Sequence, residues 1–260
     1  MLGFLLCVMI LVLATPAVAT DGVLEINQTC ALETGCFPGD LPGLPITIDR
    51  DQPASYRLTS SLTNGDPNLS AIEIRDEHVT LDLNGFSING PTTCSGSPLD
   101  CENSGSGSGI TTDMERIGIS VRNGVLRGNG GNGLSLGNDA RVEGVLAVSN
   151  GASGIEVRQG SLVKDCRAVR NGASGIVIGA ESVASQLVAS DNGTTGITSF
   201  RGSSILDSAS NRNGSFGITG TVGMTIRNNT VSLNKADGIF VEFSFDGAST
   251  ITGNTVHAND

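Results

Sequence analysis

From residue 129 onward, apolar and polar positions recur with a fixed step. Asn stands at 129, 150, 171, 192, 213 and 234, and Gly at 133, 154, 175, 196, 217 and 238, each 21 residues apart. An aliphatic residue follows each Gly: Leu134, Ile155, Ile176, Ile197, Ile218 and Ile239. Two more columns share this register. One holds Val142, Val163, Ala184, Ile205, Ile226 and Ile251; the other holds Ala147, Ala168, Ala189, Ser210, Val231 and Val256. Four extra residues in the last unit shift its late columns to a step of 25. Within a unit the apolar residues alternate, as in Ile155-x-Val157 and Ile176-x-Ile178, which is the period of a strand. Gly and Asn interrupt each run before a helix of ten residues would fit. The pattern predicts three short strands per coil, joined by turns where Gly and Asn accept positive φ cheaply. Coils then stack about 4.8 Å apart, each aliphatic residue above its equivalent. The predicted fold is all-β: a parallel β-helix of about 21-residue coils.

The pattern reaches upstream. Val121-Arg-Asn-Gly-Val-Leu126 matches Ile226-Arg-Asn-Asn-Thr-Val231, and Val79, Leu81 and Leu83 alternate in an earlier coil. Residues 90–108 are rich in Ser and Gly and read as an insertion leaving the helix at the turn equivalent to NGASG. Residues 20–45 lack strand alternation and read as an N-terminal cap. The helix proper is expected over 46–260. Cys166 shares a column with Val145, Leu187, Ser208, Asn229 and Asn254, so it reads as a small buried hydrophobe, with Asn229 and Asn254 opening a buried Asn ladder.

The segments HVTLDLNGFSINGP at 78–91 and ISVRNGVLRGNGGNGL at 119–134, with the NG-x-x-GI coils, resemble secreted bacterial parallel β-helix repeat proteins. That resemblance covers about 46–260 and implies a right-handed helix, the fold of pectate lyases, polygalacturonases and phage tailspikes. It does not carry an activity, because fold alone does not give function.

Composition narrows the classes. The chain of 260 residues holds 36 Gly, no Trp and one Tyr, and 38% apolar content is too high for a disordered chain. Net charge is −11 with no Lys/Arg block, which argues against a nucleic-acid partner and an anionic membrane surface. Residues 1–19 read as an export signal: the apolar run Leu2 to Leu13, then Ala17-Val18-Ala19 before a cleavage point at Thr20. The run is too short for a stable membrane span. In an exported chain Cys30–Cys36 and Cys94–Cys101 read as two local disulfides. The expected location is therefore the cell envelope or the outside of the cell.

Chemistry is sparse. Polysaccharide-cleaving proteins of the resembled fold cluster Asp and Glu on an outer strand face, often with Ca²⁺ or a basic residue. Here the outward column Ser135, Glu156, Val177, Thr198, Thr219 and Phe240 holds one carboxylate. Asp165 and Asp207 form the best catalytic pair, two coils and thus roughly 9.6 Å apart, near the spacing of an inverting glycosidase. Their column also holds Gly144, Gln186, Asn228 and Gly253, which reads equally as a turn favouring Asp, Asn and Gly. Arg170, Asp191 and Arg212 read as a ladder of surface ion pairs, and His78 and His257 lie too far apart to share a site. No cofactor is expected; Ca²⁺ is the one ion that Asx-rich turns suggest, although no GGxGxD series recurs.

Three functions follow as expectations. The leading one is a non-catalytic extracellular or envelope scaffold presenting a face to polysaccharide or another envelope protein. The second is a polysaccharide lyase or glycoside hydrolase acting in a groove beside the 90–108 insertion, through Asp165 and Asp207. The third is a piece of an adhesin or fibre-like protein, its last coil inviting edge-to-edge self-association.

Overall fold

The computed structural model describes residues 22–49, 55–242 and 247–260; the expected export signal at 1–19 lies outside them. The aliphatic residue after each repeat Gly starts a strand. With two upstream strands that follow Pro45 and Ala71, they make nine, from Ile46–Ile48 through Ile155–Val157 to Ile239–Val241, stacked in parallel as the first face. Register follows the repeat: Ile155 faces Ile176, Ile176 faces Ile197, and Ile197 faces Ile218. The chain then turns into a second face, represented by Leu162–Lys164 and Val183–Ser185, and a third, represented by Arg167–Val169 and Val188–Ser190. The molecule is a right-handed parallel β-helix of about nine coils. The second face begins within the expected cap: Leu24–Ile26 pairs with Ser55–Leu58, and the helical turn Cys30–Thr34 follows it with Ala31 buried.

The core is one thin column. Ile155, Val163, Ala168, Ile176, Ala184 and Ala189 are fully buried, whereas Ile251 and Val256 of the last coil are about half exposed. Burial of each aliphatic side chain contributes about 1.5–3 kcal/mol, so stability accrues coil by coil rather than at a centre. Cys166 is buried as expected, its thiol facing the Lys164 carbonyl at 3.1 Å.

The repeat Asn does not take the role that turn composition predicts. Positive φ falls on the residue before it, at Ser149, Arg170, Asp191, Arg212 and Leu233, with φ of 54–59°. The Asn side chains instead run buried down the axis. Asn171 Nδ2 donates to Asn192 Oδ1 (3.0 Å) and to the Ala147 carbonyl (3.2 Å). Its own Oδ1 accepts from Asn150 Nδ2 at 2.9 Å and from the Asn150 main-chain N–H at 3.1 Å. The same contacts link Asn129 through Asn150, Asn192, Asn213 and Asn234 to Asn259. The repeat Gly is likewise fixed by proximity: a Cβ on Gly175 would lie 2.6 Å from the Gly196 carbonyl oxygen and 2.7 Å from Asn192 Nδ2. A second ladder passes from the Leu187 N–H through Ser208 and Asn229 to Asn254, as its column predicts. A third, of hydroxyls, joins Ser161, Ser182 and Ser203.

Candidate functional site

From the strand ending at Arg127 onward, each third-face strand is followed by a residue at positive φ, which turns the next side chain inward and its own outward. That geometry buries Asn171 and Asn192 while it projects Arg170, Asp191 and Arg212 along one outer corner. The 90–108 insertion emerges on the same corner. Thr93–Ser95 and Asp100–Glu102 pair antiparallel, and Cys94 and Cys101, directly opposite, are disulfide-bonded. Cys30 and Cys36 are bonded in the N-terminal segment.

The hairpin lies against later coils rather than projecting into solvent. Cys94 Sγ rests 3.6 Å from the Asn150 carbonyl, and a Cβ on Gly172 would stand 2.9 Å from Cys101 Sγ. Its tip, residues 96–99, thereby faces the outer corner. The space between them is a groove of about 210 Å³, floored by Arg170, Asp191, Arg212 and Lys235. Arg212 grips Asp191 through two hydrogen bonds, Nε to Oδ1 at 2.8 Å and Nη2 to Oδ2 at 2.9 Å. Those bonds hold the Asp191 carboxyl below its ordinary pKa, against the opposing effect of partial burial. The expected three-membered ion ladder is therefore one pair. Among the described residues, Arg170 and Lys235 have no carboxylate within 4.0 Å.

Asp165 and Asp207 sit elsewhere. They occupy the bend between second and third faces at φ 53° and 51°, exposed, in the column with Gly144, Gln186, Asn228 and Gly253, all also at positive φ. Asp165 Oδ2 is 3.4 Å from Lys164 Nζ, and Asp207 accepts from Asn228 Nδ2 at 3.2 Å. Asp207 borders a shallow depression with Gln186 and Thr230, while neither Asp lines the hairpin groove. The groove exists where the insertion predicts it, without the expected pair inside. His78 and His257 are exposed on opposite stretches of the stack.

The right-handed β-helix region model matches residues 108–260. The chain belongs to the right-handed β-helix family. Its coils at Ile46–Ile48 and Ile72–Ile74 extend the same stack upstream of the matched region. No curated protein sequence matches this β-helix protein. Among solved structures, the Dettilon tailspike protein is similar at 13% identity and a TM-score of 0.46, over 91% of this chain and 53% of that one. This β-helix protein thus spans about half the tailspike's length. The A-module of mannuronan C-5 epimerase AlgE6 of Azotobacter vinelandii is similar at 12% identity and a TM-score of 0.37, covering 90% of this chain and 88% of that module. The AlgE4 A-module gives 12% identity and 0.34, with 89% of each chain covered.

Asp165, Asp191 and Asp207 each already face a cation or an amide donor, and among the described residues no three His, Cys, Asp or Glu side chains converge. Among the described residues no helix is long and apolar enough to cross a membrane. Sequence reasoning missed Lys235 as a groove residue, because it stands two positions beyond the charged column, at the place held by Gly172, Gly193 and Gly214 in earlier coils. A cation interrupting a glycine column is the signal that marks it.

Proposed function

We propose that this β-helix protein is an exported, non-catalytic scaffold that holds a glycan in the groove between its hairpin and the third-face turns. The observation that carries the reading is the chemistry of that groove. It is walled, polar and elongated, and the carboxylate on its floor is committed to Arg212. General acid–base catalysis needs a carboxyl or imidazole free to exchange a proton near a reacting bond. A floor of guanidinium, ammonium and a locked carboxylate suits recognition instead. Two local disulfides and the apolar run Leu2 to Leu13, with Ala17-Val18-Ala19 after it, support passage to an oxidising compartment.

The test is affinity electrophoresis of the purified chain through gels cast with separate neutral and acidic polysaccharides, paired with product analysis of each after overnight incubation. Retardation without shortened or unsaturated products is the expected result. Cleavage of any polymer would transfer the reading to a lyase or hydrolase. For that second reading, the placement of Lys164 beside Asp165 is the favouring observation. Replacing Asp165 and Asp207 together by Asn should then abolish cleavage while leaving the β-sheet signal unchanged.

A further inference from the structure

The repeat that builds the amide ladder also writes a reactive dipeptide into the chain at almost every level. Asn-Gly occurs ten times in the sequence, and five of those Asn residues, at 129, 150, 171, 192 and 213, are rungs of the ladder. In Asn-Gly the main-chain nitrogen reaches the preceding side-chain carbonyl most easily, because Gly carries no Cβ to obstruct the approach. The reaction needs water and nothing else. The Gly nitrogen gives up its proton to water or hydroxide and bonds to Asn Cγ. The Cγ–Nδ2 bond breaks, and Nδ2 takes up a proton and leaves as ammonia. Water then opens the cyclic imide at either carbonyl, leaving Asp or an isoaspartyl link in which the main chain runs through Cγ.

The fold blocks each part of that step. Asn171 is fully buried, so no solvent base reaches it. The Gly172 N–H donates to the Asn150 carbonyl at 2.8 Å, and the Gly193 and Gly214 N–H groups donate to the Asn171 and Asn192 carbonyls at the same distance. The Asn171 carboxamide would have to swing toward Gly172, yet four hydrogen bonds pin it to the coils on either side. Asn123, which precedes Gly124, is the contrast: it is exposed, and its amide donates to Asp82 at 3.3 Å.

A converted rung does not fit back into the stack. A carboxylate at 171 keeps the oxygen that Asn150 uses. Its second oxygen would stand in the place of Nδ2, against Asn192 Oδ1 and the Ala147 carbonyl oxygen. Three acceptors would then meet without a donor, and a charge would be buried among them. An isoaspartyl link lengthens the main chain and breaks strand register instead.

We propose that the ladder asparagines are latent modification sites: the folded coils guard them, unfolding releases them to deamidate, and the product bars that chain from refolding. The ladder thus makes prolonged unfolding a one-way event that leaves a chemical mark at Asn129, Asn150, Asn171, Asn192 and Asn213.

The full chain, disulfides intact, is held at mildly alkaline pH with and without urea concentrated enough to unfold it. Conversion at each Asn-Gly is followed by peptide mapping with isoaspartate detection. Ladder sites in the native chain should convert at least about a hundredfold more slowly than the same sites in urea, because reaction waits on the opening of a buried coil. They should also lag native Asn123. After dilution from urea, the refolded fraction should hold unconverted rungs, and converted rungs should collect in the fraction that fails to refold. Asn171→Asp should fold poorly at neutral pH and recover in acid, where the protonated carboxyl supplies an O–H in place of the Nδ2 donor. Should Asn171→Asp fold at no pH, the partition of converted wild-type chains decides. Equal conversion of rungs in native and unfolded chains, rungs as reactive as Asn123 in the native chain, or converted rungs spread evenly between refolded and unrefolded fractions overturns the proposal. So does wild-type folding of Asn171→Asp at neutral pH.

Discussion

At the residue scale, buried amides add to stability beside the aliphatics. Asn171 satisfies two donors and accepts twice from its neighbour, all in a site of zero exposure. Replacement by Ala strands the Ala147 carbonyl and the Asn150 N–H without water, and should cost roughly 2–4 kcal/mol in urea denaturation. Gly175→Ala should cost at least about 2 kcal/mol, because its Cβ would collide with the Gly196 carbonyl and with an Asn192 amide that the ladder holds in place. Burial raises the Cys166 thiol to about 11, and backbone contacts lower it only in part. The sign is clear: the folded state keeps the proton, so stability is full below the unfolded thiol pKa near 8.5 and declines as pH climbs toward 11. The expected outcome is no reaction with a thiol reagent at pH 8 until denaturant is added; prompt labelling of the native chain would contradict it. The Ile columns were readable from the sequence because strand period and repeat period coincide. The Asn role was not, since a residue tolerating positive φ and a residue bonded along a ladder look identical in composition. Only backbone angles separate Arg170, which makes the turn, from Asn171, which is buried by it.

At the element scale, the hairpin at 93–102 behaves as a strap. It is sewn to itself by Cys94–Cys101 and rests on Gly172, where a side chain would meet Cys101 Sγ, and on the Asn150 carbonyl. The disulfide closes a loop of few residues, so its chain-entropy contribution is about 2 kcal/mol and local. Replacing both cysteines by Ser should therefore weaken polysaccharide binding while shifting the thermal midpoint of the coils by only a few degrees. A large loss of coil stability would mean that the hairpin supports the stack itself. An insertion at 90–108 was legible from composition. Its path was not, because that path is set by contact with Asn150 and Gly172, 56 residues beyond Cys94 and about 70 beyond Cys101, a relation no local pattern encodes. The same reason hid the separation of Asp165 and Asp207 from the groove: both corners of the third face carry charged turn residues at one repeat period, and only the hairpin distinguishes them.

At the scale of the whole molecule, each coil touches only its neighbours, so unfolding need not be uniform. The upstream coils bury Tyr56, Leu58, Leu81 and Leu83 completely, whereas Ile251 and Val256 of the last are half exposed. Hydrogen exchange should accordingly be fastest at 250–257 and slowest around Val121–Ala147. Uniform protection would indicate that the last coil is covered, most simply by another copy, which light scattering over a concentration range would detect. Because the amide ladder has the same donors and acceptors at every level, no coil is chemically unique to its storey. Excising residues 176–196 would join Gly175 to Ile197 and hand the Asn171 amide directly to Asn213. A shortened molecule of this kind should still fold, one floor lower, with Asp191 gone and Arg212 left without its counterion beneath the strap. Length in this architecture is thus a heritable dial: duplication or loss of a single 21-residue segment resets the spacing of charges along the groove without requiring any new interior to be invented.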